Sequence, residues 1–286
     1  MKTISIVGTG LIGGSVAVDL RDAGFANQFI GVEQNQDNAA KAVELGIVDQ
    51  VLPLAEAAAL SDIIVLAIPV TAIQKMLPEL LSLVPEHAVV IDLGSTKGQL
   101  CEAVRHHPKR HQYVAAHPIA GTENSGPTAA HKGLYQGKMN IICEKELSSE
   151  NALATTLAVF EVLGMKTIFM QPLEHDKHVA YISHLSHVSS FLLGLTVLDV
   201  EKDEKNIFTL AGSGFASTVR LAKSSPDMWA PIFEQNAHFL SHALSEYIKH
   251  LQRFHECLIN KDTEKLYEMM AQANQIRPVL EGITVK

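Results

Sequence analysis

In the stretch AAHPIAGTENSG, residues 115–126, a short apolar run ends on a histidine and a proline before small and polar residues take over. A histidine at such a seam, His117, can cap a strand, hold a metal or move a proton, and an unperturbed pKa near neutrality suits the last task. More imidazoles occur in SHLSH, where His184 and His187 are three apart and share a helix face. A metal would need further ligands, yet His175 and His178 close no shell and HExxH is absent. No metal site is expected, and histidines satisfied within a polar patch of the core are the alternative. Arg220, in GSGFASTVRLAK, offers a planar fork that pairs bidentately with a carboxylate, against the plainer reading of a surface arginine. Lys97, Lys223 and Glu123 carry the same two readings. Cys101, Cys143 and Cys257 read as core residues and form no CxxC pair.

The elements that must position these groups begin with TISIV, residues 3–7, a short β-branched run bounded by glycine and hence a buried strand. Gly8-Thr9-Gly10-Leu11-Ile12-Gly13 follows at once, then a helical pattern through Leu20 and a second strand, QFIGV, ending on Glu33. A lone GxGxxG says little. Between a strand and a helix, with an acid about twenty residues on, it is the fingerprint of dinucleotide binding. Gly8 permits the tight turn, Gly10 lets the backbone approach a pyrophosphate, and Gly13 lets the helix pack on the strand. The amides of Leu11 and Ile12 open the helix and face the phosphates. Glu33 would accept hydrogen bonds from a ribose diol and repel a 2′-phosphate, and with Gln34 and Asn35 next, NAD is favoured over NADP.

Alternation continues with strands in DIIVLAI (62–68, ending at Pro69), AVVIDL (88–93) and Tyr113 to Ala116, with helices after Pro69 and Lys97. Near-continuous apolar strands alternating with helices imply a parallel sheet covered on both faces, whose ligands lie beyond the strand carboxyl ends. That rule sets Gly8, Pro69, Ser95 and His117 along one rim. Strands at Lys138 to Cys143 and Lys166 to Met170 flank a helix near Ser149 to Leu163. From Pro172 the pattern is helical almost to the end, with Pro172 and Glu174 marking a start. The first long helix, to about Val200, is apolar enough to suggest a helix cluster or a subunit interface. Phe233, Ala237, Leu240, Leu244, Tyr247, Leu251, Phe254 and Leu258 then form a heptad-like seam, for which homodimerisation is the preferred explanation. The expected fold is an α/β N-terminal Rossmann-type doubly wound sheet over 1–171, followed by an all-α C-terminal domain over 172–286 for substrate binding and dimerisation.

Composition narrows the function classes. The 286 residues are 47% hydrophobic with a net charge of −8, which argues against nonspecific binding to nucleic acid or an anionic membrane. Three isolated thiols suit a reducing compartment. No signal peptide is expected ahead of TISIV, and no apolar stretch reads as long and clean enough to span a bilayer. A cytoplasmic location is expected.

Several separated motifs coincide with one family. VGTGLIGGS, DIIVLAIPV, VVIDLGSTKG, AAHPIAGTENSG, HDKHVAYISHLSH and LAGSGFASTVRLAKSSPDMW, with Asn236 after them, resemble the prephenate/arogenate dehydrogenases of tyrosine biosynthesis over nearly the whole chain. HPIAGTE, and SHLSH with the later TVRLA, are the specific elements. The resemblance implies that His117 is the catalytic group and that Ser95 hydrogen-bonds the same substrate hydroxyl. It implies that His187 lines the substrate pocket and Arg220 binds a carboxylate, with Thr122 and Glu123 of AGTE at the pocket mouth. This chain has Ser186 where many members have proline, a change that bears on helix geometry. It has Ser217 where many have an aspartate three residues before the arginine, so an ionic gate could not use that aspartate.

The implied substrate is a cyclohexadienol carrying a ring carboxylate and an acidic side chain, prephenate or arogenate. Oxidation at the carbinol would send hydride to NAD⁺ while the ring carboxylate leaves as carbon dioxide. Tyrosine, if it inhibits, would compete at the active site, since the chain ends soon after Arg277 with no expected space for a fused mutase or regulatory domain. Two rivals remain at this level: a β-hydroxyacid dehydrogenase, which would rely on a lysine in the helical half, and a non-enzymatic NAD-sensing interaction protein. The latter does not require Ser95, His117 and Arg220 to converge.

Overall fold

The computed structural model describes residues 2–204 and 206–282; residues 283–286 of the expected helical domain lie outside them. The first half runs β1 (Thr3–Val7), α1 (Leu11–Asp22), β2 (Gln28–Val32), α2 (Gln36–Glu44), β3 (Gln50–Val51), α3 (Leu54–Leu60), β4 (Ile63–Leu66), α4 (Val70–Leu83), β5 (Val89–Asp92), α5 (Gly98–Val104), β6 (Tyr113–Pro118), β7 (Met139–Cys143), α6 (Glu150–Val162) and β8 (Lys166–Met170). The strands form one sheet in the order β3-β2-β1-β4-β5-β6-β7-β8. Its first six positions are the doubly wound order of a dinucleotide-binding domain. β3 is two residues long and left no periodic trace in the sequence.

The parallel arrangement holds through β6, but β7 pairs antiparallel with β6, and β8 follows β7 in parallel. The physical reason is the connection: between Pro118 and Met139 the chain makes only a short 3₁₀ turn, Pro127–Ala129, and has no helix to carry it back for a parallel crossover.

Strand pleating sorts side chains onto the two faces. Ile4, Ile6, Ile63, Val65, Val89, Ile91, Val114 and Ala116 join one core cluster. Their alternates Val7, Ile64, Leu66, Val90, Tyr113 and Ala115 join the other, with Ile73, Leu77, Leu100 and Cys101 of α4 and α5. Two residues beyond Ala115 on the same strand, His117 shares the α4–α5 face by parity. Every position of β4, β5 and β6 is buried, as expected for strands covered on both sides.

The second half continues with α7 (Pro172–Val179), α8 (Leu185–Asp203), α9 (Ser213–Thr218), α10 (Pro226–Gln235), α11 (Ala237–Ile259), α12 (Thr263–Ala273) and α13 (Arg277–Glu281). Pro172 and Pro226 both open helices, where a missing N–H costs nothing. A π-helical turn, Ala180–His184, joins α7 to α8. The chain forms two compact units that divide between Ala237 and His238. The sheet and the helices through α10 share the first unit, in which α7 packs on α5 and α10 on α4.

One expectation is corrected. Pro172–Asp203 is an unbroken helical run of 32 residues, long and apolar enough by length and composition to cross a membrane. The reading of one long apolar helix from Pro172 to about Val200 holds, with a π-helical turn inside it; what changes is that the run reaches the length and hydropathy a bilayer would need. The α8 side chains Leu192, Leu195 and Leu198 are exposed in the single chain, whereas His175, Asp176 and His184 of the same run are buried. The seam divides as well: Asn236 separates α10 from α11, Leu240 is buried, and Leu251, Phe254 and Leu258 are exposed.

Candidate active site

The glycine loop leaves β1 at Gly8, whose φ of +92° is a left-handed conformation and whose N–H donates to Val32 C=O at 2.9 Å. A Cβ on Gly8 would lie 2.5 Å from the Ala67 carbonyl oxygen, and one on Gly13 2.1 Å from that of Gly8. These two glycines are demanded by the chain itself. Gly10 is different: a Cβ there would meet nothing nearer than the Gly126 backbone at 3.8 Å. Gly10 caps α1 without a side-chain hydrogen bond, so the amides beginning at Leu11 and Ile12 are open to a phosphate. The half-buried Glu33 accepts from the Thr9 N–H and hydroxyl at 3.2 Å each through Oε2, and from the Asn35 N–H at 3.1 Å through Oε1. A carboxylate held there retains acceptor capacity for ribose hydroxyls. Pro69 caps α4 directly beyond β4. The residues present fit a dinucleotide with an unphosphorylated ribose.

His117 ends the buried run of β6 and is only 8% exposed. Its Nδ1 lies 2.7 Å from Nε2 of His175, whose Nδ1 lies 2.8 Å from Asp176 Oδ1. Asp176 is fastened further: Oδ1 accepts the Lys97 N–H and Oδ2 the Gly98 N–H, both at 2.8 Å. The loop bearing Ser95 is thus tied to α7. The Lys97 ammonium is fully buried, paired with Asp92 and bonded to Ala116 C=O at 2.6 Å. Tyr113 OH donates to the other Asp92 oxygen at 2.7 Å. Among the described residues no hydrogen bond joins the half-buried Ser95 to His117; the two share a rim rather than a contact.

The second group of histidines continues from Asp176. Asn236 Nδ2 donates to Asp176 C=O at 2.8 Å and lies 3.1 Å from His184 Nδ1. His184 meets Trp229 edge-on at 5.8 Å, and His187 stacks on the same indole at 3.4 Å. His187 Nδ1 donates to Ser183 C=O at 3.0 Å, which leaves Nε2 as the acceptor when the ring is neutral. His184 Nε2 and Trp229 Nε1 are buried without a partner among the described residues. Arg220 Nη1 donates to Glu123 Oε2 at 3.1 Å, at the more open side of the site. Thr122 Oγ1 accepts the Asn124 N–H at 3.2 Å, while His178 and Lys223 are exposed. Among the described residues the side chains of Ser186 and Ser217 bond only one turn back, to Ile182 C=O and Gly214 C=O.

Electrostatics follow from this burial. Desolvation, then the neighbouring His175, Lys97 and His184, hold His117 well below the ordinary histidine range. Burial pushes His184 down to about 4 and also lowers His175, although Asp176 pulls His175 the other way. Burial lowers His187, with the Arg220 charge adding to it. Glu123 is lowered by a hydrogen bond from its own amide and by Arg220. Burial raises the Cys101 and Cys143 thiols, so neither is a nucleophile at neutral pH.

Residues 16–169 match the nucleotide-binding domain of prephenate dehydrogenases, and residues 171–272 match the dimerization domain of the same enzymes. The chain belongs to the prephenate dehydrogenase family. A prephenate dehydrogenase of Bacillus subtilis is 28% identical over 96% of this chain and 75% of its own length. A crystal structure of prephenate dehydrogenase from A. aeolicus, in complex with hydroxyphenyl propionate and NAD⁺, superposes with a TM-score of 0.89 at 32% identity over 98% of both chains. The arogenate dehydrogenase of Synechocystis superposes with a TM-score of 0.75 at 29% identity, over 97% of this chain and 99% of its own. As a member of the prephenate dehydrogenase family the chain is an oxidoreductase with a nucleotide-binding α/β domain followed by helices.

The residues singled out by sequence fall at four places: the glycine rim with Glu33, the rim position of Ser95 and His117, the stack of His187 on Trp229, and the Glu123–Arg220 pair. Asp176, Asp92 and Trp229 did not stand out in the sequence, and Lys97 had only a doubtful reading there. Asp176 lies 79 residues from Lys97, Asp92 21 from Tyr113 and Trp229 42 from His187, beyond any helical or strand period, and only the adjacency of an acid to His175 in HDKH offered a signal.

Proposed function

We propose that this enzyme carries out the NAD-dependent oxidative decarboxylation of prephenate to 4-hydroxyphenylpyruvate, with His117 as proton acceptor. The observation that carries this reading is the buried, neutral His117, held through Nδ1 at the sheet rim that also bears the glycine loop. NAD⁺, when bound, accepts the hydride leaving the ring carbinol.

The chain's own groups do the rest. His117 Nε2 takes the hydroxyl proton as negative charge develops on oxygen, a task for which its lowered pKa keeps the ring unprotonated. As the bond to the ring carboxylate breaks, its electron pair enters the ring and carbon dioxide departs. The proton then returns from His117 to what has become the phenolic oxygen. Ser95 orients that oxygen from the loop anchored by Asp176. Arg220 binds the substrate carboxylate as a fork, Glu123 and Thr122 flank the entrance, and His187 on its Trp229 platform lines the pocket, so that hydride donor and acceptor are held in one geometry.

Residues 172–286 supply substrate binding and dimerisation, with the exposed apolar side of α8 covered by a second copy rather than by lipid. Tyrosine, which resembles the product, competes for the same pocket, and the enzyme works in the cytoplasm. NADH formation from NAD⁺ with prephenate or arogenate, beside a His117→Asn variant, tests the reading. Turnover of prephenate that falls at least about a hundredfold in the variant is the expected result. Turnover of arogenate alone would move the substrate assignment, and turnover of neither would remove the activity.

A further inference from the structure

The proton acceptor leans on a second histidine, and that histidine on a carboxylate. We infer that Asp176, His175 and His117 form a proton relay, in which Asp176 fixes the tautomer of both rings and the charge of the abstracted proton comes to rest on His175. The inference rests on the reading of His117 as proton acceptor and adds two positioning residues to it.

The tautomers follow from counting donors. Asp176 accepts two main-chain N–H groups, from Lys97 and Gly98, at 2.8 Å each. Oδ1, which already accepts the Lys97 N–H, serves as an acceptor, so its 2.8 Å contact with His175 Nδ1 requires the hydrogen on that nitrogen. A neutral imidazole carries one N–H, which leaves His175 Nε2 with a lone pair. The 2.7 Å contact between His175 Nε2 and His117 Nδ1 then requires the hydrogen on His117 Nδ1. His117 Nε2 is left bare, which is the form a proton acceptor needs. One carboxylate thus sets the reactive nitrogen two rings away, a longer form of the acid–histidine pairing that orients imidazole in hydrolytic triads.

The resting place of the charge follows from what surrounds each ring. The charged groups bearing on His117 are cationic or potentially so: Lys97, His175 and His184. His175 has the Asp176 carboxylate in contact and Asp92 behind it, against the single opposing charge of Lys97. When Nε2–H of His117 forms from the substrate hydroxyl, its Nδ1–H bond breaks as Nε2–H of His175 forms. His117 becomes neutral again, His175 becomes an imidazolium beside Asp176, and both transfers reverse when the proton returns to the phenolic oxygen. No other reactant is needed.

Two variants of the full-length protein separate this relay from a merely structural contact. Asp176→Asn, with its amide nitrogen at the Oδ1 position and the Lys97 N–H bond given up, donates to His175 Nδ1, which reverses both tautomers and puts the hydrogen on His117 Nε2. His175→Gln keeps an oxygen acceptor for His117 Nδ1–H but cannot take up a proton, and it leaves the Asp176 bonds to the 97–98 amides in place. Histidine ¹⁵N spectra read the tautomer with or without turnover. We expect His117 Nδ1–H in the wild type and in His175→Gln, and Nε2–H in Asp176→Asn. For kcat we expect a loss on the order of 10³- to 10⁴-fold in Asp176→Asn, near that of other tautomer reversals. His175→Gln should lose about tenfold or more in kcat, with KM and NAD⁺ affinity within about twofold, and its acid limb should move to lower pH because the anion no longer supports the cation.

Hydrogen on His117 Nε2 in the wild type would overturn the relay. So would a His175→Gln enzyme with unchanged kcat and an unmoved acid limb, and this arm stands even if Asp176→Asn fails to fold. Absence of turnover by the wild type would fall on the proposed function instead, while the spectra still decide the tautomers.

Discussion

The glycine rim and the histidine cluster meet the same end of the sheet, yet they are built on opposite plans. The rim is nearly local: Gly8, Gly10, Gly13 and Glu33 occur within one β–α–β unit, Gly13 is fixed by Gly8 and Ile6 inside it, and Gly8 by Ala67 and Ile68 at the end of the neighbouring β4. The cluster is assembled from β5, β6, α5, α7 and α10, and its hydrogen bonds span as many as 79 residues of sequence between Lys97 and Asp176. A local site tolerates rearrangement elsewhere in the chain. An assembled one reports on the packing of every element that contributes to it.

The largest effect that would sharpen this contrast is His117→Asn. Loss of the proton acceptor should lower kcat by about 10²- to 10⁴-fold while leaving NAD⁺ affinity unchanged, as titration calorimetry would show. A parallel loss of NAD⁺ binding would break the separation between the two regions. Arg220→Ala comes next. A charged, bidentate contact is worth roughly 1.5–3 kcal/mol, so KM for substrate should rise about tenfold to a hundredfold with a smaller change in kcat.

Gly8→Ala tests the rim from within. A left-handed φ and a 2.5 Å approach to a main-chain oxygen should cost about 1–3 kcal/mol in denaturant unfolding and weaken NAD⁺ binding without altering the tautomer of His117. The smallest effect is on pH. His117, His175, His184 and His187 all have lowered pKa values in the folded chain. The unfolded chain takes up their protons near pH 6.5 and the folded chain only further down, so stability is complete above that pH and declines as pH falls. Each such histidine contributes up to about 1.4 kcal/mol per pH unit within its window. Tm recorded from pH 7.5 to pH 5 should fall, and should fall less steeply in His184→Asn.

The contrast also explains what the sequence could show. The rim was legible because its spacing is set by the dimensions of one turn and one helix start, which repeat wherever such a unit occurs. β1, β2, β4, β5 and β6 were legible because strands buried on both faces are apolar at most positions. Ser95 and His117 were placed by the rule that ligands lie beyond the strand carboxyl ends and His187 by its three-residue spacing from His184, while Arg220 drew notice by residue type, and the role of each came from resemblance. Asp176 was hidden because its value lies in reaching two amides of a distant loop, and periodicity carries no record of that. The reversal of β7 was hidden in a connection, 119–138, whose lack of a helix bears on topology only once the sheet is known. The long helix through SHLSH was legible to about Val200, but the π-helical turn inside it was hidden, since it differs from an α-helical one by hydrogen-bond reach and leaves no mark on composition.

That turn sets a phase. α7 carries His175 and Asp176, α8 carries His187, and the angle between the two sets of side chains is counted in residues through Ala180–His184. Each residue of an α-helix advances the direction of its side chains by about 100°. A π-helical turn holds about one residue more than an α-helical one, so a deletion inside it can be absorbed by closing the turn, whereas a deletion just beyond it would swing His187 by that angle and carry it off the indole of Trp229. Between His175 and His187 the π-helical turn is therefore the one place where the chain can lose a residue and keep both rings in register.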